Sequence, residues 1–233
     1  MHWFAILLAP LFLLCFITRL PLEALLLHFR VIAPPTTRNW RYLFYLHHML
    51  FSWLALLPFA LLLLGLDWSL QTIGLQFPTH PLLVALFTAI LLCINIVQVL
   101  FTHYAARHVP EIRAYLRQPG PAHLPHTTTE RLLFIPFSLT AAILEELFFR
   151  GFLITYLLHI FPRVPLVPAL ILAALVFGLG HFSQKWGGML VSGILALVFG
   201  VLYTLTGSLL PGMIIHALSN LRILLIPQHA ERT

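Results

Sequence analysis

The sequence predicts an all-α fold, a polytopic transmembrane helical bundle of about seven spans, with six to eight as the range. The first observation is composition. Of the 233 residues, 60% are hydrophobic and 9% are charged, whereas soluble domains carry roughly 25% charged residues. The second is segment length, because several apolar runs approach the roughly 20 residues that a helix needs to cross a bilayer core about 30 Å thick. We therefore expect an integral membrane protein.

Seven apolar segments are assigned as spans. The first is short, and residues 20–35 after it either extend it or lie in the interface as an amphipathic helix. The fourth begins after the stretch "TTTE", which has the Thr cap and first-turn acid of a helix start. The predicted spans are residues 2–17, 42–66, 81–101, 131–158, 164–181, 187–206 and 209–226.

Basic residues are concentrated in two connections, residues 18–41 and 102–131, whereas residues 65–80 and 206–208 contain no Lys or Arg. By the positive-inside rule, the two Arg-rich connections face the cytoplasm. This predicts a multi-pass protein of a prokaryotic plasma (inner) membrane, with the N-terminus outside and the C-terminus cytoplasmic. The net charge of +6 is then directed at anionic lipid headgroups and not at nucleic acid.

Three charged residues interrupt the apolar stretch "AAILEELFFRGFLI", residues 141–154. A charge inside a span costs at least ~2.5 kcal/mol on insertion scales, so such residues usually face the bundle interior. Arg150 lies one helical turn after Glu146, which predicts an ion pair between them. Glu145 points to another face and has no partner in its own helix, so it is available for proton transfer. The alternative is that all three residues only tie helices together.

Two further polar motifs lie on later spans. "VFGLGHF" places Phe177 one turn before His181, and "GMIIHALSN" places His216 and Asn220 four residues apart on one helix face. A lone membrane histidine is more often a packing residue than a catalyst. A His and an Asn on one face, with a free Glu and a second His on other spans, favour catalysis.

The three motifs together resemble those of a known family. "EELFFR", "FGLGH" and "HALSN" are similar to the motifs E-E-x-x-x-R, F-x-x-x-H and H-x-x-x-N of the CPBP family. These are the intramembrane CAAX proteases and bacteriocin-processing proteases, which include the prenyl-protein endopeptidase. Any one motif is weak evidence, but all three in this order, each on its own apolar segment, identify the chain as CPBP-like.

The resemblance implies an intramembrane endopeptidase and assigns four catalytic residues. Glu145 and His181 would activate the attacking water, and His216 and Asn220 would stabilise the tetrahedral oxyanion. This agrees with general chemistry, since a carboxylate and an imidazole can deprotonate a water, and an amide and an imidazole N–H can donate to a developing oxyanion.

The resemblance also implies supporting roles for Glu146, Arg150 and Phe177, which occupy the remaining motif positions. It divides the chain into residues 1–130, which are N-terminal helices and a cytoplasmic connection without a motif, a CPBP-type catalytic core at 131–226, and a short cytoplasmic tail at 227–233.

The family is often labelled as metalloendopeptidases, which raises the question of zinc. Glu145, His181 and His216 would be the three protein ligands of such an ion, with water as the fourth. However, the sequence lacks H-E-x-x-H. We therefore favour a glutamate-based hydrolase without a metal or other cofactor, with zinc as the alternative.

The expected substrate is a membrane-associated or lipidated protein or peptide, cut near the cytoplasmic face. Two functions that are not enzymatic remain as alternatives, a proton-coupled transporter and a catalytically inert immunity or scaffold protein. Transporters usually show broken helices or symmetric repeats, and the sequence shows neither. Outside the motifs, four polar residues of the second and third spans are interpreted as interhelical hydrogen bonders or interface residues, with a place in the substrate cavity as the alternative. They are His47, His48, Asn95 and Gln98.

Overall fold

The computed structural model describes residues 7–14, 40–116 and 124–226, and within these ranges the chain is helical without a strand. The predicted all-α transmembrane bundle is thus confirmed. A 3₁₀ turn, Arg222–Leu225, extends the last helix. In chain order the helices are α1 (residues 7–14), α2 (Trp40–Leu54, continuing as Leu56–Leu66), α3 (Pro81–His108), α4 (Pro110–Leu116), α5 (Thr128–Ile160), α6 (Leu166–Gly180), α7 (Lys185–Thr206) and α8 (Leu210–Leu221).

Four helices, α2, α3, α5 and α7, are long and apolar enough to cross a membrane, while α6 and α8 are shorter apolar helices. Residues 20–35, expected to extend the first span or to form an amphipathic helix, and the tail at 227–233 lie outside the described residues. The orientation of the bundle stays a prediction. In the second Arg-rich connection the structure adds the short helix α4, which the sequence analysis did not predict.

The predicted helix start at "TTTE" is confirmed as a capping box. The Thr127 hydroxyl accepts from the Glu130 backbone N–H at 3.2 Å, and the Glu130 carboxylate accepts from the Thr127 N–H at 3.0 Å. Arg41 on α2 lies 3.6 Å from the same carboxylate. The cap therefore fixes where α5 begins and also attaches α5 to α2.

The middle of α5 is a π-helix, residues Glu146–Ile154, between α-helical segments on both sides. All nine of its residues are buried. π-helical segments are rare and are often found at functional sites. Here the change from α to π falls between Glu145 and Glu146, the two glutamates of the first motif.

The loop between α2 and α3 packs over one end of the bundle. Ile73 is fully buried, and a Cβ on Gly151 would lie 2.7 Å from its carbonyl oxygen, so the π-helix needs glycine at this contact. Gly74 O accepts from the Leu209 N–H at 2.9 Å, and the Gln76 amide donates to Gly207 O at 2.9 Å. These bonds attach the loop to the turn between α7 and α8 and close that end.

Candidate active site

The charged residues of α5 come together with α6 and α8 in the interior of the bundle. Glu146 and Arg150 are almost completely buried, with 1% and 2% exposure, and Glu145 and His216 are each 9% exposed. Burial of four ionisable side chains in an apolar bundle is costly unless they are paired. Their mutual contacts therefore define the site.

The predicted pair between Glu146 and Arg150 is confirmed, with 3.1 Å between Oε1 and Nη1. The angles are not those of a hydrogen bond, and both terminal nitrogens of Arg150 lack a hydrogen-bond partner in the described part of the chain. The contact is thus chiefly Coulombic. The guanidinium carbon also lies 4.4 Å from the ring centroid of Phe177 and 5.5 Å from that of Phe199, and such cation–π contacts stabilise a desolvated cation.

Glu146 has a second partner, His216 on α8. The Nδ1–H of His216 donates to Glu146 Oε1 over 2.9 Å. Gly212 lies one turn earlier on α8, and a Cβ there would come within 3.0 Å of Glu146 Oε2. The absence of a side chain at Gly212 therefore lets the carboxylate lie against α8 and reach the imidazole.

Glu145 approaches the other nitrogen of the same ring. Its Oε2 lies 3.7 Å from His216 Nε2, which is too long for a direct hydrogen bond. The close neighbour of Glu145 thus comes from α8, while its charge also acts on Arg150 of its own helix. A water molecule or another small polar group beside these atoms can hydrogen-bond to both Glu145 Oε2 and His216 Nε2.

His181 lies at the C-terminal cap of α6 and is partly exposed. Its Nδ1–H donates to the Phe177 carbonyl at 2.9 Å, so in the neutral ring Nε2 is the nitrogen that can accept a proton. The Phe177 ring lies 4.6 Å from the His181 ring and 6.3 Å from the His216 ring, between centroids. Phe177 therefore contacts both histidines as well as Arg150.

Asn220 follows His216 by four residues on α8 and is half-buried. The residues beside it are held by α3. Asn95 donates to the Ser219 hydroxyl at 3.2 Å and accepts from Arg222 at 3.0 Å, and Arg222 also donates to Gln98. The prediction that Asn95 and Gln98 are interhelical hydrogen bonders is confirmed.

The donors expected for zinc do not form a three-ligand group. Glu145 and His216 are neighbours, but across residues 7–14, 40–116 and 124–226 no three His, Cys, Asp or Glu side chains are grouped so that they could hold a metal ion. The arrangement therefore does not fit the expected zinc ligands Glu145, His181 and His216, and we derive no step through a metal.

Two residues that contact the site were missed from the sequence. Gly212 could have been found, because it lies four residues before His216 and so shares its helix face. Phe199, whose ring centroid is 5.7 Å from that of His216, lies in an apolar run where one aromatic residue is not distinguishable from the other packing residues.

One known protein family matches the part of the chain that contains these site residues. The profile described as type II CAAX prenyl endopeptidase, Rce1-like, matches residues 127–222. Residues 127–222 are therefore similar to this family. The Rce1-like segment begins at the N-cap of α5 and contains every predicted site residue, so the expected relationship to CPBP intramembrane proteases is confirmed.

The similarity to the Rce1-like family supports a membrane-embedded protease of the CAAX type. Comparison with curated proteins and with solved structures finds no significant match.

Proposed function

We propose that this protein is an intramembrane endopeptidase that hydrolyses a peptide bond of a membrane-associated or lipidated protein by a glutamate-based mechanism. The observation that carries the proposal is the placement of His216 between two consecutive carboxylates, with 2.9 Å to Glu146 and 3.7 Å to Glu145. The carboxylate of Glu146 orients the imidazole ring, and the carboxylate of Glu145 remains available to act on water.

In the first step Glu145 removes a proton from a water molecule, and the water oxygen attacks the carbonyl carbon of the scissile bond. His181 helps to orient the water through Nε2, because its Nδ1–H is held by the Phe177 carbonyl. A positioned general base contributes about 10²–10⁴-fold to such a reaction.

In the second step the negative charge on the former carbonyl oxygen is stabilised by His216 and Asn220. To donate to the oxyanion through Nε2 while Nδ1–H donates to Glu146, the ring of His216 must carry both protons in this step. Glu145 then transfers its proton to the leaving nitrogen as the C–N bond breaks. One oxyanion donor of this kind contributes about 3 kcal/mol.

The cut is proposed to lie near the cytoplasmic face of a plasma membrane. The Arg-rich connection between α3 and α5 indicates that face by the positive-inside rule. The opposite end of the bundle is covered by the loop between α2 and α3, which is hydrogen-bonded to the turn before α8. A polar peptide therefore approaches from the Arg-rich end.

The proposal is tested with purified protein in lipid nanodiscs and a prenylated peptide that carries a CAAX-type C-terminus, with product detection by mass spectrometry. We expect cleavage by the wild type and none by Glu145→Gln. Glu111→Gln is the matched control, because Glu111 is an exposed glutamate on α4 outside the Rce1-like segment.

Three outcomes would change the conclusion. Cleavage that survives Glu145→Gln overturns the role of Glu145, and cleavage that a chelator abolishes reversibly restores the zinc alternative. If prenylated, bacteriocin-leader and C-terminal sorting peptides all remain uncut, the inert immunity or scaffold function is favoured. A proton flux that needs Glu145 in the same preparation would instead indicate a transporter.

A further inference from the structure

Arg222, at the end of α8, lies in a second polar site that the proposed proteolysis does not use. Its Nη1 donates to the side-chain oxygens of Asn95 and Gln98, and both partners are neutral amides. No carboxylate pairs with Arg222 among the residues that the structure describes. Within residues 7–14, 40–116 and 124–226 the amides orient the guanidinium but no group neutralises its charge, so a bound anion would be a suitable partner.

A pocket of about 250 Å³ opens beside this guanidinium, between α3 and the 3₁₀ turn. Its polar lining comes from Arg222, Gln98 and Thr102. Its remaining lining is apolar. The apolar lining residues are Val99, Phe101 and Ile226. A pocket that is cationic on one side and apolar on the other suits a molecule with an anionic group next to hydrocarbon.

The depth of the pocket narrows the choice of ligand. From Pro81 at the start of α3 to Thr102 the helix rises about 32 Å, at roughly 1.5 Å per residue, against a hydrocarbon core about 30 Å thick. Thr102 therefore reaches the headgroup level when α3 begins at the opposite edge of the core. Arg107 continues the positive charge at the same end of the helix, and anionic lipids accumulate at such basic ends.

The 3₁₀ turn, which forms one wall of the pocket, is hydrogen-bonded to α3 and to α5. The Nε2–H of His103 on α3 donates to Leu225 O at 2.7 Å, and Arg131 on α5 donates to Leu224 O. These bonds fix the carbonyl groups of the 3₁₀ turn that carries Arg222. The site therefore exists before a ligand arrives, which lowers the entropic cost of binding.

The pocket is separate from the catalytic face of α8. Arg222 follows Asn220 by two residues, and two helical steps of about 100° place it on nearly the opposite side of the helix. The peptide bound at His216 and Asn220 is thus on the other side of α8. From the unpaired charge, the mixed lining and the depth, we propose that this pocket binds the phosphate of an anionic phospholipid headgroup.

The test measures lipid binding and not proteolysis, so it does not depend on the proposed function. Purified full-length protein is exchanged into mixtures of phosphatidylglycerol and phosphatidylcholine, and retained lipids are counted by native mass spectrometry. We expect the wild type to prefer phosphatidylglycerol, Arg222→Gln to weaken that preference about fivefold, and Arg222→Lys to keep most of it. Arg107→Gln is the control, since Arg107 is exposed on α3 outside the pocket.

Three results would overturn the proposal. The first is an unchanged preference in Arg222→Gln, and the second is an equal loss in Arg107→Gln, which would indicate general surface attraction. The third is displacement of the retained lipid by millimolar inorganic phosphate, which would assign the pocket to a free anion. If Arg222→Gln does not fold, Gln98→Leu replaces it, and an unchanged preference there counts against the proposal in the same way.

Discussion

Glu146 on α5 accepts a hydrogen bond from His216 on α8 over 2.9 Å, although the two residues are 70 positions apart in the chain. The same oxygen of Glu146 lies 3.1 Å from Arg150. The second glutamate of the motif therefore does more than neutralise an arginine. It connects the ion pair of α5 with the imidazole of α8, and the expected effects of changing His216, Arg150 and Gly212 follow from this connection.

His216→Gln should keep part of the activity, because a glutamine amide can still donate to an oxyanion, whereas His216→Ala should lose it almost completely. Loss of one such donor reduces kcat about 10²–10³-fold. Single-turnover cleavage of the prenylated peptide measures both variants. Equal loss in the two variants would assign His216 to proton transfer and not to charge stabilisation.

Glu145→Gln should reduce kcat at least about 100-fold, since it removes the proposed general base. Its thermal unfolding should stay close to that of the wild type, because the 3.7 Å approach to His216 is too long for a hydrogen bond. Activity and unfolding are measured on the same preparation. A variant that is inactive only because it is unfolded would count against a catalytic role.

Arg150→Met should lower the free energy of unfolding by about 3–5 kcal/mol, because the buried carboxylate of Glu146 loses its ion-pair partner. The double variant Glu146→Gln/Arg150→Met should regain part of that loss. Unfolding is followed by denaturant titration in mixed micelles. Arg163→Met serves as the control at an exposed arginine, and a double variant no more stable than Arg150→Met would argue against the pair.

Gly212→Ala should reduce kcat about tenfold to 100-fold with little effect on expression, since small displacements of aligned groups have effects of this size. Its new methyl group would lie 3.0 Å from Glu146 Oε2 and push the carboxylate away from His216. Gly187→Ala is the matched control, because the added group would meet open space beyond its own chain neighbours and the nearby helix backbone. Similar kinetics in both variants would refute the packing argument.

Asn95→Leu should destabilise the protein by about 1–3 kcal/mol, because it removes hydrogen bonds to Ser219 and Arg222 on either side of Asn220. We also expect kcat to fall more than KM rises, since the end of α8 loses its support while the substrate pocket keeps its lining. Cys93→Ala, at an exposed position on the same helix, should change neither. A rise in KM alone would instead place Asn95 in substrate binding.

Local spacing was sufficient to predict several of these contacts. The pair between Glu146 and Arg150 follows from their separation of four residues, and the cap at Thr127 follows from the acid three positions later. Both contacts form within one helical turn, so the arrangement of the other helices does not affect them. For the same reason, the catalytic motifs could be assigned to individual helices from the sequence.

Contacts between helices were not predictable in this way. The sequence separates Glu145 and Glu146 onto different faces, yet both approach His216, one at each nitrogen. That arrangement depends on the crossing of α5 and α8, on the open space at Gly212, and on the π-helix that begins at Glu146. In a π-helix each N–H bonds to the carbonyl five residues back and not four, which changes the angular spacing of the side chains. The local sequence does not indicate which of the two patterns forms.

The loop over the closed end of the bundle has a consequence for reconstitution. Bonds from Gly74 and Gln76 to the turn before α8 hold the loop across one end. With the proposed entry from the other end, the two faces of the membrane are not equivalent for a peptide. In vesicles where the protein inserts in both directions, only molecules whose open end faces the added peptide can turn over. Permeabilising such vesicles should therefore raise the measured rate without any change in the enzyme itself.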